Sequence, residues 1–569
     1  MISLDNKSNI ENSIIKLNNK TRILSIIRFL LIMTIITFVI CFISLENTVL
    51  YLCLSIISIV ILIIYSKFTN KYYNELNNIK SLEYVYKRHL NRRNGSYKTF
   101  SPDGKEFIDY NDHKVLDLDL LGPKSLFQYL CVAKTYNGRK KLAKQITNPV
   151  TKDNKYSKLV YNFANNEESL KLEAAINNID SKNSYNEDEM LSILDKEVKF
   201  NKTGLVFMVL SYVLLIVLSI LFGIFKVNYL YLLFFIPVNI LISYKYFTNE
   251  IFNLNSTKYS LVLNDYIYLI KELENINIVD DFYQEIKEEL KNDLDNFIKL
   301  NRVSDMLSYR KNVILSLIGN GVCYLNLITL LLFKKQVKKI DSIKNSLDLI
   351  NDLEVMLSLS IVGMDNEVFS LPIDSDTLNV KEVYHPLINN CVPNDFNYEK
   401  GVILTGSNMA GKTTFMRTLG INQVLKNAGG IVLAKEYHSP KLNVYTSLRT
   451  VDTLQEGIST FYAEINKMKC IIENANENSL VLIDEIFKGT NAKDRIYSAS
   501  EIIKKLNDLN ANFIITTHDF ELCDTENIIN YHFDEEYKDN QILFDYKIKQ
   551  GKTNKTNAIY LLKMAGVIE

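Results

Sequence analysis

An α/β domain closing a mostly α-helical chain, with two transmembrane α-helical hairpins set into the helical part, is the fold class this sequence predicts. Three observations predict it. Four charge-free apolar runs come as two tight pairs, within residues 29–66 and 203–244. Charged stretches with apolar residues at three-or-four spacing lie between and after them, the pattern of amphipathic helices. Short, uniformly apolar runs bounded by glycine and acidic residues gather beyond residue 372, as buried parallel strands do.

The 569 residues carry 65 Lys plus Arg and 65 Asp plus Glu, a formal net charge of zero. That balance excludes a globally basic nucleic-acid binder and leaves a local basic face open. Seven Cys form no CxxC pair, and the odd count argues against a disulfide framework or a zinc ribbon. The six His are scattered without metal-ligand spacing. Trp is absent, so aromatic residues at a membrane interface must be Tyr or Phe.

Residues 1–28 read as a basic cytoplasmic tail. Runs Phe29–Leu45 and Asn47–Ser66 form the first hairpin (29–66), and Thr203–Phe225 with Val227–Tyr244 the second (203–244). A helix needs about 20 apolar residues to cross a ~30 Å hydrocarbon core, and only closed helices satisfy their backbone there. Lys16, Lys20, Arg22 and Arg28 precede the first pair and Lys67 and Lys71 follow it; Lys199, Lys202 and Lys245 flank the second. The turns hold only Glu46 and Lys226. Positive-inside bias thus places both termini and the large segments in the cytoplasm, as a four-span protein of the cytoplasmic membrane. The first run ends without a small-residue cleavage site, against a signal peptide.

Residues 67–202 and 245–372 read as helical core and long levers. A fifth charge-free run, Asn312–Phe333, contains Asn312, Gly319, Asn320, Gly321 and Asn326, poor company for lipid. With Ile340, Ile343, Leu347, Ile350, Leu353 and Leu357 it predicts one long, buried interdomain helix. The run Lys87-Arg-His-Leu-Asn-Arg-Arg93 reads either as a juxtamembrane patch on anionic lipid or as a DNA phosphate contact.

The chemistry lies in residues 373–569. Gly401–Thr405 is a buried strand leading into Gly406-Ser407-Asn408-Met409-Ala410-Gly411-Lys412-Thr413-Thr414 and then a helix from Phe415. This is the G-x-x-x-x-G-K-[ST] P-loop, whose backbone N–H groups and helix N-terminus cradle phosphates. Lys412 suits the β- and γ-phosphates of ATP, and Thr413 a Mg²⁺ ion. Leu480–Ile483 delivers Asp484 and Glu485 to a strand edge, Asp484 for Mg²⁺ and Glu485 as the base for water. A third strand, Asn512–Thr516, ends in Thr517-His518-Asp519, placing His518 near the γ-phosphate or the water.

Thr405–Arg417, Ser459–Glu464, Leu482–Thr490 and Thr516–Leu522 resemble the MutS ATPase in order and spacing. His385-Pro386-Leu387 and Val392–Asp395 resemble its entry strands, and Tyr546-Lys547 and Ala565-Gly566 its closing segment. More weakly, Leu116–Gly122, Ser125–Phe127, Thr135–Gly138 and Asn148-Pro149 resemble the start of the MutS helical core. The likeness within the family is to membrane-anchored MutS-like proteins. It implies an ABC-class ATPase working as a homodimer, with Ser459 reaching the partner's γ-phosphate and His518 as a switch histidine.

Departures from the mismatch-repair pattern are Ser407 for Pro, Ala410 for Gly, Thr413 for Ser and Lys488 for Arg. The expected N-terminal mismatch-reading domain is replaced by tail and hairpin, and the second hairpin stands where the family inserts its DNA clamp. The sequence therefore points first to a membrane-anchored ATPase moving helical levers at the bilayer. A DNA-binding homologue in repair or tethering is the alternative, with mismatch specificity doubted. A transporter is the least supported, because the four runs hold no charged residue.

Overall fold

The computed structural model describes residues 4–44, 48–180, 187–194, 201–225, 234–252, 259–309, 312–398, 401–407, 409–449, 460–487, 491–538 and 541–552. Glu46, Lys226, Asn408, Ser459, Lys488, Gly489, Thr490, Ala565 and Gly566 lie outside them.

In chain order the helices are α1 (Leu4–Ser44), α2 (Thr48–Arg93), α3 (His113–Asp117), α4 (Leu126–Leu130), α5 (Tyr136–Thr147), α6 (Asn154–Asn165), α7 (Glu168–Asn177) and α8 (Glu187–Leu194). There follow α9 (Lys202–Ile224), α10 (Phe235–Phe252), α11 (Tyr259–Leu273), α12 (Asp281–Tyr309), α13 (Val313–Cys323), α14 (Leu325–Val337) and α15 (Ile340–Met364). The α/β part holds β1 (Ile373–Asp374), β2 (Leu378–Val383), β3 (Asn394–Tyr398), β4 (Gly401–Thr405), α16 (Lys412–Asn427), β5 (Glu436–Ser439) and β6 (Asn443–Ser447). It continues with α17 (Thr460–Asn474), β7 (Ser479–Asp484), α18 (Ala492–Asp508), β8 (Asn512–Thr516), β9 (Ile528–Lys538) and β10 (Gln541–Gln550).

The chain divides into two compact units. The first comprises residues 1–89, 170–277 and 286–349 and is helical. Helices α1 and α2 form a hairpin: Tyr65 Oη donates to the Leu24 carbonyl at 3.1 Å, and Lys20 Nζ sits 3.8 Å above the Tyr72 ring. The expected basic tail is not a separate segment, since α1 begins at Leu4 and runs straight into the first apolar run. Asn9–Ser44, Leu50–Arg93 and Lys202–Ile224 are long and apolar enough to cross a membrane. The most apolar 18-residue stretch of each is almost wholly unburied within the protein.

Two sequence expectations fail here. Residues 312–333 are not one buried helix: the chain breaks at Tyr324, which has φ +50°, and α13 and α14 meet at a bend of 84°. The lever stripe itself holds, with Phe333, Ile343, Leu347, Ile350, Leu353 and Leu357 all buried. The basic run 87–93 is not a continuous surface patch, since only Lys87 and Arg93 of its cations are exposed. Arg88, His89 and Arg92 are buried, and His89 Nε2 lies 2.9 Å from Glu173 Oε2. Arg92 Nε donates to the Tyr129 carbonyl at 2.9 Å, and Arg93 donates to the Met364 carbonyl at 3.0 Å. Arg88 and Arg92 are thereby withdrawn from both lipid and DNA, while Lys87 and Arg93 stay exposed.

The second unit comprises residues 90–169, 278–285 and 350–569. A six-stranded sheet runs β10-β9-β4-β8-β7-β6, parallel except for the β9–β10 pair, beside a four-stranded sheet β1-β5-β2-β3. Successive strand residues face opposite sides. Ile403, Val481, Ile483, Phe513 and Ile515 pack with Met468, Ile471, Ala499, Ile503 and Leu506 of α17 and α18. On the other face, Gly420 of α16 lies against Leu482 and Leu118 so closely that a Cβ would approach them to 2.9–3.0 Å. Covered on both faces, β4 is buried at every position.

Helical-core residues join this unit through buried polar contacts. Thr135 caps α5, its hydroxyl bonded to Gly138 N at 2.9 Å and to the buried carboxylate of Glu354. Lys134 N and Thr135 N donate to Glu354 Oε1 at 2.9 and 3.2 Å, while burial pushes that carboxyl's pKa up. A Cβ at Gly138 would collide with Glu354, which explains the Thr135–Gly138 motif structurally.

Candidate active site

Parallel strands β4, β8 and β7 end at one edge of the sheet, where an open α/β sheet presents its ligand-binding crevice. The edge of β4 continues into Gly406, with φ +139°, and Gly411, with φ +105°, conformations that side chains rarely adopt. A Cβ at Gly406 would sit 2.8 Å from the Phe533 carbonyl oxygen. Between them the loop turns tightly at the start of α16, with Ala410 N donating to the Ser407 carbonyl at 3.3 Å. That helix begins at Lys412, three residues before the expected Phe415.

Lys412 is buried, and its ammonium folds back over the loop, donating to the carbonyls of Gly406 and of Ser407, the latter at 3.0 Å. Ser407 Oγ is buried without a hydrogen-bond partner. Met409 is exposed, Ala410 is buried, and Thr414 lines the cleft beside Thr413.

Thr413 Oγ1 donates to Asp484 Oδ2 at 3.0 Å. Thr516 Oγ1 donates to Asp484 Oδ1 at 2.6 Å, across the β7–β8 pair in which these two residues are register partners. Glu485 follows with φ +57°, a strained backbone for a residue bearing a side chain. Its N–H donates to Thr516 Oγ1 at 3.1 Å, which holds the turn. His518 Nε2 lies 3.1 Å from Glu485 Oε1. Beyond it, Arg495 of α18 grips Asp519 through two bonds of 2.7 Å.

These groups border a cleft of about 820 Å³ lined by Ser407, Met409, Gly411, Lys412, Thr413, Thr414, Asp484 and Glu485. A hydroxyl beside a carboxylate is a fitting oxygen donor pair for Mg²⁺, and a lysine with glycine-loop N–H groups fits phosphate. The structure thus brings together Gly406, Ser407, Met409, Ala410, Gly411, Lys412, Thr413, Thr414, Asp484, Glu485 and His518. Asn408 and Ser459 fall outside the described residues.

Sequence reasoning missed the cleft's other wall, made by Ile388, Asn390, Val392, Phe533 and Tyr546. Tyr546 sits in a bulge of β10, with φ +52°, and its ring lies over Gly411. Asn394 clamps this bulge, donating to the Tyr546 carbonyl at 3.0 Å and accepting from Ile548 N at 2.9 Å. The resemblance at Val392–Asp395 and Tyr546-Lys547 marked these segments without assigning them to the site.

A second missed cluster lies behind the loop. Buried Asp117 accepts from Thr446 Oγ1 at 2.8 Å, Leu448 N at 3.0 Å, Arg449 N at 3.1 Å and Lys467 Nζ at 2.8 Å. Asp119 accepts from Arg449 through two bonds of 2.7 and 2.8 Å and from Arg417 of α16 at 3.1 Å. The run Leu116–Gly122 is thereby tied to the first helix of the site, to the end of β6 and to α17.

Fold and site together define an α/β domain with a glycine loop, an acidic pair and a histidine gathered at the ends of its parallel strands. Its sequence matches MutS domain V over residues 402–569, and the C-terminal region is that of a MutS family member. The chain is 30% identical over 247 residues to the DNA mismatch repair protein MutS of Aquifex pyrophilus, a match covering 41% of this chain and 29% of that protein. The MutS of Prochlorococcus marinus is 34% identical over 257 residues, 41% of this chain and 28% of that protein. The mouse MutS protein homolog 4 is 31% identical over 238 residues, 38% of this chain and 24% of that protein. The chain thus spans less than a third of the length of these relatives.

Proposed function

We propose that this chain is a membrane-anchored MutS-like ATPase that binds and hydrolyses ATP with Mg²⁺ and moves its helical levers at the bilayer. The observation that carries the reading is the convergence of Lys412, Thr413, Asp484 and Glu485 on one cleft, with His518 Nε2 3.1 Å from Glu485 Oε1 behind it. The loop N–H groups and Lys412 hold the β- and γ-phosphates. Thr413 and Asp484 would hold the metal ion, which would supply positive charge against the phosphate oxygens. Glu485 takes the proton of the attacking water as its oxygen bonds to the γ-phosphorus and the bond to the ADP oxygen breaks. His518 orients the Glu485 carboxylate. Tyr546, Ile388 and Val392 form the apolar wall for the nucleoside.

Each site is completed across a homodimer, with Ser459 reaching the partner's γ-phosphate. Anchoring is through α1, α2, α9 and a fourth span that includes residues 227–244, with both termini and the ATPase domain in the cytoplasm. Supporting this are the unburied apolar stretches of the three long helices and the lysines that flank the apolar runs. Mixing Ser459→Arg chains with Lys412→Ala chains tests the composite site. Activity returning to about one site per heterodimer is expected, and full activity in a monomeric preparation would refute it.

Binding of DNA is a second reading, favoured by the names of the mismatch-repair relatives. The family model matches residues 402–569, and burial of Arg88 and Arg92 leaves only Lys87 and Arg93 exposed in the basic run that sequence reasoning offered for DNA.

A further inference from the structure

Helix α13 is patterned inside out. Its buried residues are Ser316, Asn320 and Gly321, while Val313, Ile314, Ile318 and Val322 are each 57–68% exposed. A helix at a water-facing surface buries its apolar stripe and shows its polar one. The opposite arrangement, small and polar residues between helices and aliphatic residues outward, suits helices packed within lipid. Neighbouring α9 and α10 share it. Gly204 and Ser211 of α9 and Asn239 and Ser243 of α10 are buried, while Val206, Val213, Ile216 and Leu241 are exposed.

The break at Tyr324 is built for a place without water. Ending α13 frees its last carbonyls, and neighbouring side chains meet them. Asn239 Nδ2 donates to the Gly321 carbonyl at 2.9 Å and Tyr212 Oη to that of Val322 at 3.1 Å. On the far side, Asn326 N at the start of α14 donates to Asn320 Oδ1 at 2.9 Å. Tyr324 Oη donates to Asn239 Oδ1 at 2.7 Å and lies 2.8 Å from Ser211 Oγ, joining α14's start to α9 and α10. Non-helical backbone at membrane depth is tolerated only where protein satisfies and encloses it, and Tyr324 is 1% exposed.

The same contacts fix how far the pair penetrates. Asn239, beside Gly321, is six residues from Lys245, or about 9 Å at 1.5 Å per residue. Tyr212, which reaches Val322, is ten residues from Lys202, or about 15 Å. Those lysines mark one face of a hydrocarbon core ~30 Å thick. The return is immediate: Asn326 Nδ2 donates to Thr248 Oγ1, which lies beyond Lys245 on the water side, at 3.3 Å.

We propose that α13 and α14 form a re-entrant element. It enters the leaflet on the Lys202 and Lys245 side, turns at Tyr324 short of the far side, and leaves where it entered, with the outer face of α13 covered by acyl chains. The inference rests on α9 spanning the bilayer. It keeps the ATPase domain on the same side as the segments before α13, which a fifth span would not.

Because the chain has no Trp, single Trp reporters can be read in the full protein. Ile318→Trp and Val322→Trp are reconstituted in vesicles of phosphatidylcholine brominated along its acyl chains, beside Val213→Trp on α9 and Tyr497→Trp on α18. Loss of fluorescence at 318 and 322 comparable to that at 213, with none at 497, is the expected result. Quenching at 213 alone would overturn the re-entrant element and leave the anchor standing. No quenching at 213, 318 or 322 would remove the membrane reading and this inference with it. Sidedness is read with an impermeant thiol reagent on Asn312→Cys and Lys335→Cys, in chains whose native cysteines are Ser. Both should react from the side on which Tyr497→Cys reacts; reaction from opposite sides would mean a full span and contradict the proposal.

Discussion

Asp117 Oδ2 accepts a hydrogen bond from Lys467 Nζ at 2.8 Å, and both side chains are almost fully buried. The pair joins the end of α3 to α17, the helix that follows residue 459. With Asp119 holding Arg417 and Arg449, it is a direct physical link in this unit between the helical core and the helices framing the cleft.

Removing one partner of a buried pair leaves a charge without compensation and costs ~3–5 kcal/mol. Asp117→Ala is therefore expected to destabilise the protein by that order. Lys467→Met in the Asp117→Ala background should recover part of the loss. Denaturant unfolding of the two single variants and the double variant gives the coupling. Strict additivity would show that the two residues do not act together.

His385 carries a pH dependence. Burial first, and then the nearby Arg417 cation, push its pKa down from 6.5 to about 3. The unfolded chain binds this proton more readily, so the contribution to stability is complete above about pH 6.5 and is lost as pH falls towards 3. His385 Nδ1 accepts from Leu387 N at 3.1 Å, a role an Asn oxygen can fill. His385→Asn should flatten the acid side of the stability profile by on the order of a few kcal/mol. Unchanged slopes in urea unfolding between pH 7 and 4 would contradict this.

On the proposed function, Tyr546 and Asn394 are expected to set nucleotide affinity. Tyr546→Ala removes the ring above Gly411 and should weaken ATP binding by about tenfold, the loss of roughly 1–1.5 kcal/mol of aromatic contact. Asn394→Ala releases the bulge that presents this ring and should act in the same direction without touching the phosphate groups. Fluorescent-nucleotide titration checks both. Unchanged affinity in Tyr546→Ala would take the ring out of the site.

Mismatch discrimination should be absent. Reading a mispair requires contacts to a base or exploitation of its easier unstacking, which phosphate contacts alone do not supply. Any DNA binding is expected to fall steeply with salt and to separate matched from mismatched duplex by less than about 1 kcal/mol. Titration of labelled duplexes at two salt concentrations decides the point. A tenfold or larger preference for the mismatch at about 150 mM salt would restore the repair reading.

The parts legible in the sequence were those set by local pattern. Gly401–Thr405 and Asn512–Thr516 are strands at the expected residues because buried parallel strands read as unbroken apolar runs. Asp484, Glu485 and His518 follow because a strand's last residue fixes which group reaches the edge. What long-range contacts decide stayed hidden. Arg88 and Arg92 look like a surface patch until Tyr129 and Asp365 enclose Arg92. Asp117 looks like a solvated acid in an alternating run until Thr446, Leu448, Arg449 and Lys467 converge on it. The break at Tyr324 has no proline to announce it; its partners Asn239, Ser211 and Tyr212 lie on other helices.

The central claim is that the cleft hydrolyses ATP with Glu485 as its base. Turnover by the full chain in detergent with Mg²⁺, beside Glu485→Gln, tests it most directly. The variant should bind ATP like the parent and hydrolyse it on the order of 10²–10⁴-fold more slowly, the usual contribution of a general base. Near-parental turnover in Glu485→Gln would contradict the account.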